Sequence, residues 1–430
     1  MAERLPCVGG DVEDSGPLNQ VNAYLLKAIL DAGQERVVVA SRDIFDDHGV
    51  KLLAQHKPLT SVLQQRLLER RLRVPLESSL RFESGLDKTQ LRQALLSLVE
   101  SDHGLATLVR PWAKVVEAQV TSLPLDPALL FLLTTMQITT PKAFEHAVQG
   151  LALAGAMSAR SGAGPGDLRL AMIAGLVHDI GELHLDPDLC GNRRGLDLHQ
   201  FRQLATHARL GEMLLSGFQH YPLALSRAVG EHHERLDGSG YPLGRSADAL
   251  SPLGRMLAVV ETTLGVLDAP DVPLARASFA LRVVPGEYEG TWVDLVASAA
   301  RRASWRPGTD KAASNALAWA SLAQADRKMV TGAEEAKRLA NDASPAVRAV
   351  GSRAAHLLQR LRTGWNEIGL WVGVLDYPNT SDEVVMAEEE LRYRLAVMER
   401  DCLALQPDLD AGDRLRMEPL WRCLAANSAR

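Results

Sequence analysis

From about residue 86 onward, the apolar residues of this 430-residue chain recur at helical spacing, and this pattern constrains the fold most. In the segment LDKTQLRQALLSLVE, Leu91, Leu95 and Val99 follow one another at i, i+4 and i+8. Few positions alternate with a period of two, so strands are not expected here. Proline and glycine breakers separate further Ala/Leu-rich helical segments at 126–137, 143–160, 168–180, 197–216, 223–236 and 252–267. The middle of the chain is therefore predicted to be a helical bundle.

The two ends of the chain differ from this bundle. RVVVAS and RVPLESSL, at 36–41 and 73–80, predict short extended runs, with an amphipathic segment between them. Residues 1–85 are thus predicted to form a small α+β module, and residues 86–139 to be connecting helices. After a boundary near Trp305–Gly308, a helical domain is predicted over 305–430, with helices at 310–324, 332–342, 345–374 and 381–404. The predicted fold class is mainly α, with a central bundle between these two parts.

Composition narrows the class of ligand and the compartment. A net charge of -6, without blocks of Lys or Arg, argues against binding to nucleic-acid polymers or to anionic membranes. The N-terminus lacks an apolar signal segment, and no stretch reaches the length of a membrane span. The amphipathic C-terminal part favours self-association, such as a homodimer. We expect a cytoplasmic protein whose scattered cysteines stay reduced, namely Cys7, Cys190, Cys402 and Cys423.

Histidines are concentrated in one part of the bundle. Eight of the twelve lie between residues 146 and 233, including the adjacent pair in GEHHERLDGSGYPLG at 230–244. Successive residues on a helix point about 100° apart, so His232 and His233 could serve two different metal ions. The glycines after them predict a tight loop that closes on Gly240-Tyr241-Pro242. A pair of adjacent histidines has little use in an apolar core, and this favours a metal site.

Other polar residues lie on apolar helical segments nearby. The pair His178-Asp179 offers one ring nitrogen and a carboxylate whose two oxygens can bridge two cations. Glu261 is a carboxylate within an apolar helix, where a metal ion or an arginine would offset the cost of burial. His146 and His207, taken singly, are more typical of core histidines than of ligands. His184, His199 and His220 are expected at the surface.

Taken together, these motifs resemble the HD-GYP family of metal-dependent phosphodiesterases, which hydrolyse cyclic di-GMP. The resemblance covers roughly 140–300 and rests on HDIG at 178–181, THARLG at 206–211 and HHERLDGSGYPLG at 232–244, so an HD-GYP-like domain is predicted over 140–304. It implies two divalent transition-metal ions, with iron or manganese favoured, and a bridging role for Asp179. It also implies that the Gly240-Tyr241-Pro242 loop lines the substrate site and could dock diguanylate cyclase domains. The positions that match family metal ligands are His146, His178, Asp179, His207, His232, His233 and Glu261.

The chain departs from the family pattern at several positions. Glu261 stands where the family has Asp, and Glu182 where HD-domain hydrolases usually have Lys. Lys142 replaces a glutamate of trinuclear members, which argues against a third metal ion. Arg193, within Asn192-Arg193-Arg194, replaces part of the Lys-Pro-Gly loop of the family and could bind phosphate or simply be solvated.

The resemblance implies hydrolysis of cyclic di-GMP to linear pGpG, to GMP, or to both. Asp179 and Glu182 are then expected in catalysis. Arg255 could contact the substrate phosphates or pair with Glu261. The loop of Gly240, Tyr241 and Pro242, together with Arg193, is expected to contact substrate. Two alternatives stay open: a degenerate domain that senses cyclic di-GMP or metal, and a hydrolase for another phosphoester.

Overall fold

The computed structural model describes residues 19–191, 196–218, 220–268, 272–303, 312–367, 381–403 and 409–425. The chain is mainly helical, as its periodicity predicts, and within these ranges no helix is both long and apolar enough to cross a membrane. Its helices are α1 (Ala23–Glu35), α2 (Gln64–Leu68), α3 (Lys88–Glu100), α4 (Gly104–Val109), α5 (Ala113–Val120), α6 (Pro127–Thr139), α7 (Pro141–Arg160), α8 (Pro165–Val177), α9 (Pro187–Gly191), α10 (Leu198–Ser216), α11 (Leu223–Glu231), α12 (Pro252–Val266), α13 (Leu274–Arg282), α14 (Gly290–Arg302), α15 (Ala312–Leu339), α16 (Pro345–Glu367), α17 (Ser381–Leu403) and α18 (Ala411–Leu424).

The N-terminal part contains two short antiparallel strand pairs. Strand β1 (Val38–Ala40) pairs with β4 (Leu80–Phe82), and β2 (Ile44–Phe45) pairs with β3 (Lys51–Leu53). The extended run predicted over 73–80 is wrong for most of its length, because a 3₁₀ turn at Leu76–Ser78 precedes β4. Leu76 lies in this turn, and its side chain is only 3% exposed. Burial of this side chain therefore outweighs the β-propensity of the segment.

Local capping explains where the helices of the bundle begin. Asp197 forms a capping box with Gln200 at the start of α10. Ser251 accepts a hydrogen bond from the Gly254 backbone at the start of α12, and Pro252 occupies the first helical position. The side-chain oxygens of these caps satisfy backbone N–H groups that have no partner inside the helix.

The apolar side chains form two clusters. The larger one runs from Val21 to Ala299, so the N-terminal module and the central bundle share a continuous core. The smaller one includes residues of helices α15 to α18 together with Val283 and Val284.

Helix α15 is a single helix where two were predicted, over 310–324 and 332–342. The proposed domain boundaries stay predictions.

The C-terminal helices pack directly on the end of the central part. Gly364 of α16 lies so close to Val283 that a Cβ at Gly364 would come within 1.9 Å of the Val283 carbonyl oxygen. Arg394 of α17 donates a hydrogen bond of 2.6 Å to the buried Glu287 and another to the Ala280 carbonyl. The buried ion pair between Glu287 and Arg394 therefore links the residues near the two apolar clusters.

Candidate metal centre

The histidines and carboxylates singled out by sequence lie at the ends or on the inner faces of five helices. His146 lies on α7, His207 on α10 and Glu261 on α12. His178-Asp179 follows the end of α8, and His232-His233 follows the end of α11. The short helix α9 lies between α8 and α10, so the five are consecutive apart from this insertion. Each of these two pairs lies just after the C-terminal end of a helix, where the backbone turns. Both side chains of a pair can therefore reach the same group of candidate ligands.

Glycines allow the helices to approach closely enough for the ligands to meet. A Cβ at Gly150 of α7 would lie 2.2 Å from the Gly175 carbonyl oxygen of α8, and a Cβ at Gly175 would lie equally close to the Gly150 oxygen. A Cβ at Gly181 would lie 2.1 Å from the His207 carbonyl oxygen on α10. No other residue fits at these contacts without moving a backbone, so they set the distances between the ligands.

A first group of ligand atoms joins α7, α8 and α12. The Nε2 atoms of His146 and His178 lie 3.1 Å apart. The Glu261 Oε2 atom lies 3.1 Å from the His146 Nε2 and 3.2 Å from the His178 Nε2. The Asp179 Oδ2 atom lies 3.6 Å and 3.7 Å from the same two nitrogens. Glu261, although longer than the aspartate of the family pattern, therefore reaches the other ligand atoms.

A second group lies on the opposite side of Asp179. The Nε2 atom of His207 lies 3.1 Å from the Nε2 atoms of both His232 and His233. The Asp179 Oδ1 atom lies 3.3 Å from the Nε2 atoms of His207 and of His232. Each oxygen of the Asp179 carboxylate thus faces a different group of ligands, as a bridge between two metal ions requires.

The spacing of these atoms fits metal ligation. Two ligand atoms that lie about 2.1 Å from one ion, at tetrahedral or octahedral angles, are about 3.0–3.4 Å apart. Most of the distances within the two groups fall in this range, and those from the Asp179 Oδ2 atom are slightly longer. Mixed imidazole and carboxylate donors suit divalent transition metals. The residues present therefore fit two such ions.

Backbone carbonyls hold three of the rings in the required orientation. The Nδ1 atoms of His178, His207 and His232 lie 2.8, 2.6 and 2.5 Å from the carbonyl oxygens three residues earlier. A carbonyl oxygen only accepts, so each Nδ1 must carry the proton and each Nε2 keeps its lone pair for a metal. Partners of this kind are typical behind metal-bound histidines.

The charge in this buried centre needs compensation. Burial lowers the pKa of His232 and lowers that of His233 well below its usual value, so both rings are neutral donors. Burial also opposes the charge on Glu261, but hydrogen bonds from His146 and His178 hold the pKa of this carboxyl well below its usual range. Burial disfavours protonation of His178, yet Asp179 and Glu261 raise its pKa to about 9. Two buried carboxylates therefore attract positive charge, either as protons or as metal ions.

The glycine-rich loop packs against the second group. Tyr241 stacks on the ring of His233 with centroids 4.5 Å apart, and its backbone N–H donates to the His233 carbonyl. A Cβ at Gly240 would lie 2.4 Å from that carbonyl oxygen, which explains the glycine. Pro242 follows in the loop and is half-buried. The structure thus places Gly240 and Tyr241 beside the candidate ligands, and their contact with substrate stays a prediction.

Two buried carboxylates beside the histidine pair were missed from sequence. Glu234 accepts hydrogen bonds of 2.7 and 2.9 Å from the backbone N–H groups of Leu243 and Arg245, and so closes the loop. Glu231 pairs with Arg227 and Arg245 and accepts from Ser251. The string EHHE, with an acid on each side of the pair, was the signal that could have revealed both.

The remaining predicted residues have mixed outcomes. Arg255 pairs with Glu289 at 3.3 Å and donates to the carbonyls of Ala247 and Leu250, instead of pairing with Glu261. Arg193 lies outside the described residues. Glu182 is buried, and its negative charge helps to raise the pKa of His207, against a larger opposing effect of burial. Its catalytic role stays a prediction.

The three histidines expected at the surface are not alike. His199 and His220 are exposed, but His184 is only 6% exposed. The prediction for His184 was wrong because α1 of the N-terminal module covers it. The Asn22 side chain of that module donates to the His184 carbonyl at 3.1 Å. A contact between residues so far apart in sequence leaves no local signal.

Part of the chain is similar in sequence to known proteins. Residues 134–272 match the HD domain family. The chain is 28% identical over 194 residues to 3′3′-cGAMP-specific phosphodiesterase 3 of Vibrio cholerae. These aligned residues are 44% of this chain and 37% of that protein. It is 28% identical over 191 residues to a cyclic di-GMP phosphodiesterase of Pseudomonas aeruginosa, covering 44% of this chain and 46% of the relative. A cyclic di-GMP phosphodiesterase response regulator of Xanthomonas campestris is 29% identical over 118 residues, which are 27% of this chain and 31% of the regulator. The chain therefore spans less than half the length of these relatives.

Proposed function

We propose that this chain, whose residues 134–272 match the HD domain family and carry motifs that resemble the HD-GYP type, is a metal-dependent phosphodiesterase that hydrolyses cyclic di-GMP. The products would be linear pGpG, GMP, or both. The observation that carries the proposal is the division of the ligand atoms into two groups that share the Asp179 carboxylate. Relatives described as phosphodiesterases for cyclic di-GMP and for 3′3′-cGAMP support a cyclic dinucleotide as the substrate.

The candidate ligands would bind two metal ions. His146, His178 and Glu261 would hold one ion, and the three other histidines would hold the second, with Asp179 between them. We favour iron or manganese, which accept nitrogen and oxygen donors together. When bound, such ions lower the pKa of water and neutralise charge on phosphoryl oxygens.

Several residues around the metal ligands would position the substrate. Tyr241 covers one face of the His233 ring, and its own ring edge contacts Phe201 at a centroid distance of 5.3 Å, so it could limit access of water to this side. Lys142 is exposed one helical turn before His146, on the same face of α7, where it could contact a phosphate. Arg255 would act on substrate only if it left Glu289.

The test combines metal content with turnover. Protein prepared without oxygen is expected to hold more than one transition-metal ion per chain and to linearise cyclic di-GMP. His232→Ala should lose most of the metal and the activity, because this ring is buried among the ligands. His220→Ala is the matched control, since His220 is exposed. A native protein that contains no metal after anaerobic preparation would contradict the proposal.

A second candidate function is a sensor that binds cyclic di-GMP or metal without turnover. The buried Glu182 favours it, because a negative charge beside the metal ligands opposes the approach of an anionic phosphate. Metal-loaded protein that binds cyclic di-GMP and leaves it intact would favour the sensor. A gain of activity in Glu182→Lys would then identify the residue responsible.

The proposed substrate also indicates the cellular compartment in which the chain would act. Cyclic di-GMP is an internal messenger in bacteria, so the proposed activity belongs in the cytoplasm. The Gly240-Tyr241-Pro242 loop could bind diguanylate cyclase domains, as the family resemblance implies. Co-purification of such a domain with the wild-type chain, and its loss on replacing Leu243, an exposed apolar residue of the loop, would test this interaction.

A further inference from the structure

A cavity of about 350 Å³ lies where the N-terminal module meets the HD domain, and none of the metal ligands lines it. One wall comes from residues 20–23 and Leu25, at the start of α1, and a second from Leu76 and Glu77. His184 and Leu210 of the HD domain complete it. A volume of this size is at the lower end of the range for small-molecule sites.

Two ionisable side chains that line this cavity are buried and form no ion pair with any described residue. Glu77 is 3% exposed, and burial raises its pKa to about 7 although its own backbone N–H donates to it. His184 is 6% exposed, and its Nδ1 atom has no hydrogen-bond partner in the described part of the chain. Buried polar groups in folded proteins are nearly always hydrogen-bonded, so the His184 Nδ1 atom indicates a missing partner. The buried Glu77 carboxyl lines the same cavity and forms no ion pair among the described residues, which indicates where the charge of that partner would lie.

The lining residues restrict the chemistry of that partner. Among the residues that the structure describes, no Lys or Arg lines the cavity, so the only charged side chain that they offer to an anion such as a phosphate is the Glu77 carboxylate. An ionised carboxylate accepts hydrogen bonds and donates none, so the partner must supply N–H groups. A metal ion is disfavoured, because the groups of three or more ligands found among the described residues all belong to the centre already described.

We propose that this cavity binds a small organic cation, whose ammonium or guanidinium N–H groups donate to Glu77. Its apolar part would pack against Val21, Leu25 and Leu76, and a further polar group would bind the His184 Nδ1 atom. The cation stabilises the charged form of Glu77 and supplies N–H donors in addition to the Glu77 backbone N–H. This site does not depend on the activity proposed for the metal centre.

The cavity lies against elements that also carry metal ligands. His184 ends the 3₁₀ helix Ile180–His184 that begins directly after Asp179, and Leu210 follows His207 by three residues on α10. Asn22 caps α1 and also binds the His184 carbonyl, so it joins the module to this helix. A bound cation is therefore expected to stabilise the junction between the N-terminal module and the metal centre.

The experiment uses the full chain and three probe cations: agmatine, 1,4-diaminobutane and benzylamine. Thermal unfolding and calorimetric titration are measured at pH 7.5, with inorganic phosphate and cyclic di-GMP as anionic comparisons. At least one cation should raise the Tm with increasing concentration, as a ligand of the folded state does. Glu77→Gln should bind it at least about tenfold more weakly. Glu83→Gln is the matched control, because Glu83 is an exposed glutamate of the same module.

Each result decides the proposal. Binding lost in Glu77→Gln and kept in Glu83→Gln supports it. Equal binding to both variants, or no effect of any probe at millimolar concentration, overturns it. If Glu77→Gln does not fold, the imidazole resonance of His184 in the wild type, identified by its loss in His184→Gln, replaces the comparison. A shift of this resonance on adding a cation, but not phosphate, supports the site, and an unchanged resonance overturns it.

Discussion

At the scale of single residues, Asp179 is the one side chain that belongs to both groups of candidate metal ligands among the described residues. Its Oδ1 atom faces His207 and His232, and its Oδ2 atom faces His146 and His178. Replacement by asparagine keeps the shape but leaves one neutral oxygen and an NH₂ group, which cannot bind a cation. Asp179 therefore has a larger effect on metal content than a histidine that belongs to one group.

The first prediction follows from this sharing. Asp179→Asn is expected to lose both metal ions, whereas His146→Ala should lose mainly one. Elemental analysis of the purified variants measures this directly. Asp188→Asn, at an exposed position, should keep the wild-type content. Retention of two ions by Asp179→Asn would show that the carboxylate does not bridge them.

His184 gives a second prediction, on the dependence of stability on pH. Burial lowers its folded-state pKa to about 4, against about 6.5 in the unfolded chain. Between these values the unfolded state binds more protons, so stability falls as the pH drops below about 6.5. At pH 5 the loss from this one group is about 2 kcal/mol.

The His184 contribution can be isolated by comparison of variants. The free energy of unfolding, measured by denaturant titration at pH 7.5 and pH 5, should fall less for His184→Gln than for the wild type. His199→Gln, at an exposed position, should behave like the wild type. An identical pH dependence in the wild type and His184→Gln would mean that His184 is protonated in the folded state.

At the scale of secondary-structure elements, the contact between α7 and α8 sets the geometry of the first metal group. Gly150 and Gly175 face each other across this contact, and neither position has room for a Cβ. His146 and His178 lie one turn from these glycines, so their 3.1 Å separation depends on the closeness of the two helices. A wider spacing would move one ring away from the other.

The third prediction tests this contact with alanine substitutions. Gly175→Ala is expected to lower the free energy of unfolding by roughly 1–3 kcal/mol, as overpacking of a tight core does, and to reduce metal content. Gly166→Ala is the matched control on the same helix, because a Cβ there meets nothing within 4 Å. It should be neutral or slightly stabilising. Thermal unfolding and elemental analysis of both variants check the pair.

At the scale of the whole molecule, the C-terminal helices touch the loop beside the metal ligands. Arg360 pairs with Asp237 at 3.2 Å, and Arg353 donates to the Gly238 carbonyl. Arg400 lies over the Phe201 ring at 4.0 Å. Phe201 in turn contacts Tyr241, the residue that stacks on the metal-centre His233. The C-terminal helices thus contact the loop directly, through α16, and indirectly, through Arg400 and Phe201.

The fourth prediction concerns this restraint. The double variant Arg353→Ala/Arg360→Ala should speed amide hydrogen exchange in residues 236–246, because it removes the contacts of α16 with the turn at Asp237 and Gly238. Arg414→Ala, at an exposed position on α18, is the control. Unchanged exchange in the double variant would mean that the contacts of α16 do not restrain the loop, and that the remaining ones, such as those of Glu234 with Leu243 and Arg245, are sufficient.

Much of the fold could be predicted because its causes are local in sequence. Apolar spacing and breakers identified the central helices, and the helix predicted from residue 345 does begin at Pro345, as α16. The split of α15 into two helices was wrong, because burial of Met329 and Ala336 in the second core favours one continuous helix. Local propensity is weak enough for such packing to override it.

The sequence by itself also proposed the candidate metal ligands, from the paired histidines, from a carboxylate within an apolar helix and from the family resemblance, and their role as ligands stays a prediction. Only the tertiary structure assigned each Asp179 oxygen to its own group of ligands, joined Arg255 to Glu289 and buried His184 under α1. Each of these depends on which distant elements pack together. Helix and turn signals act over a few residues, whereas the burial and pairing of charges depend on contacts between residues far apart in the chain.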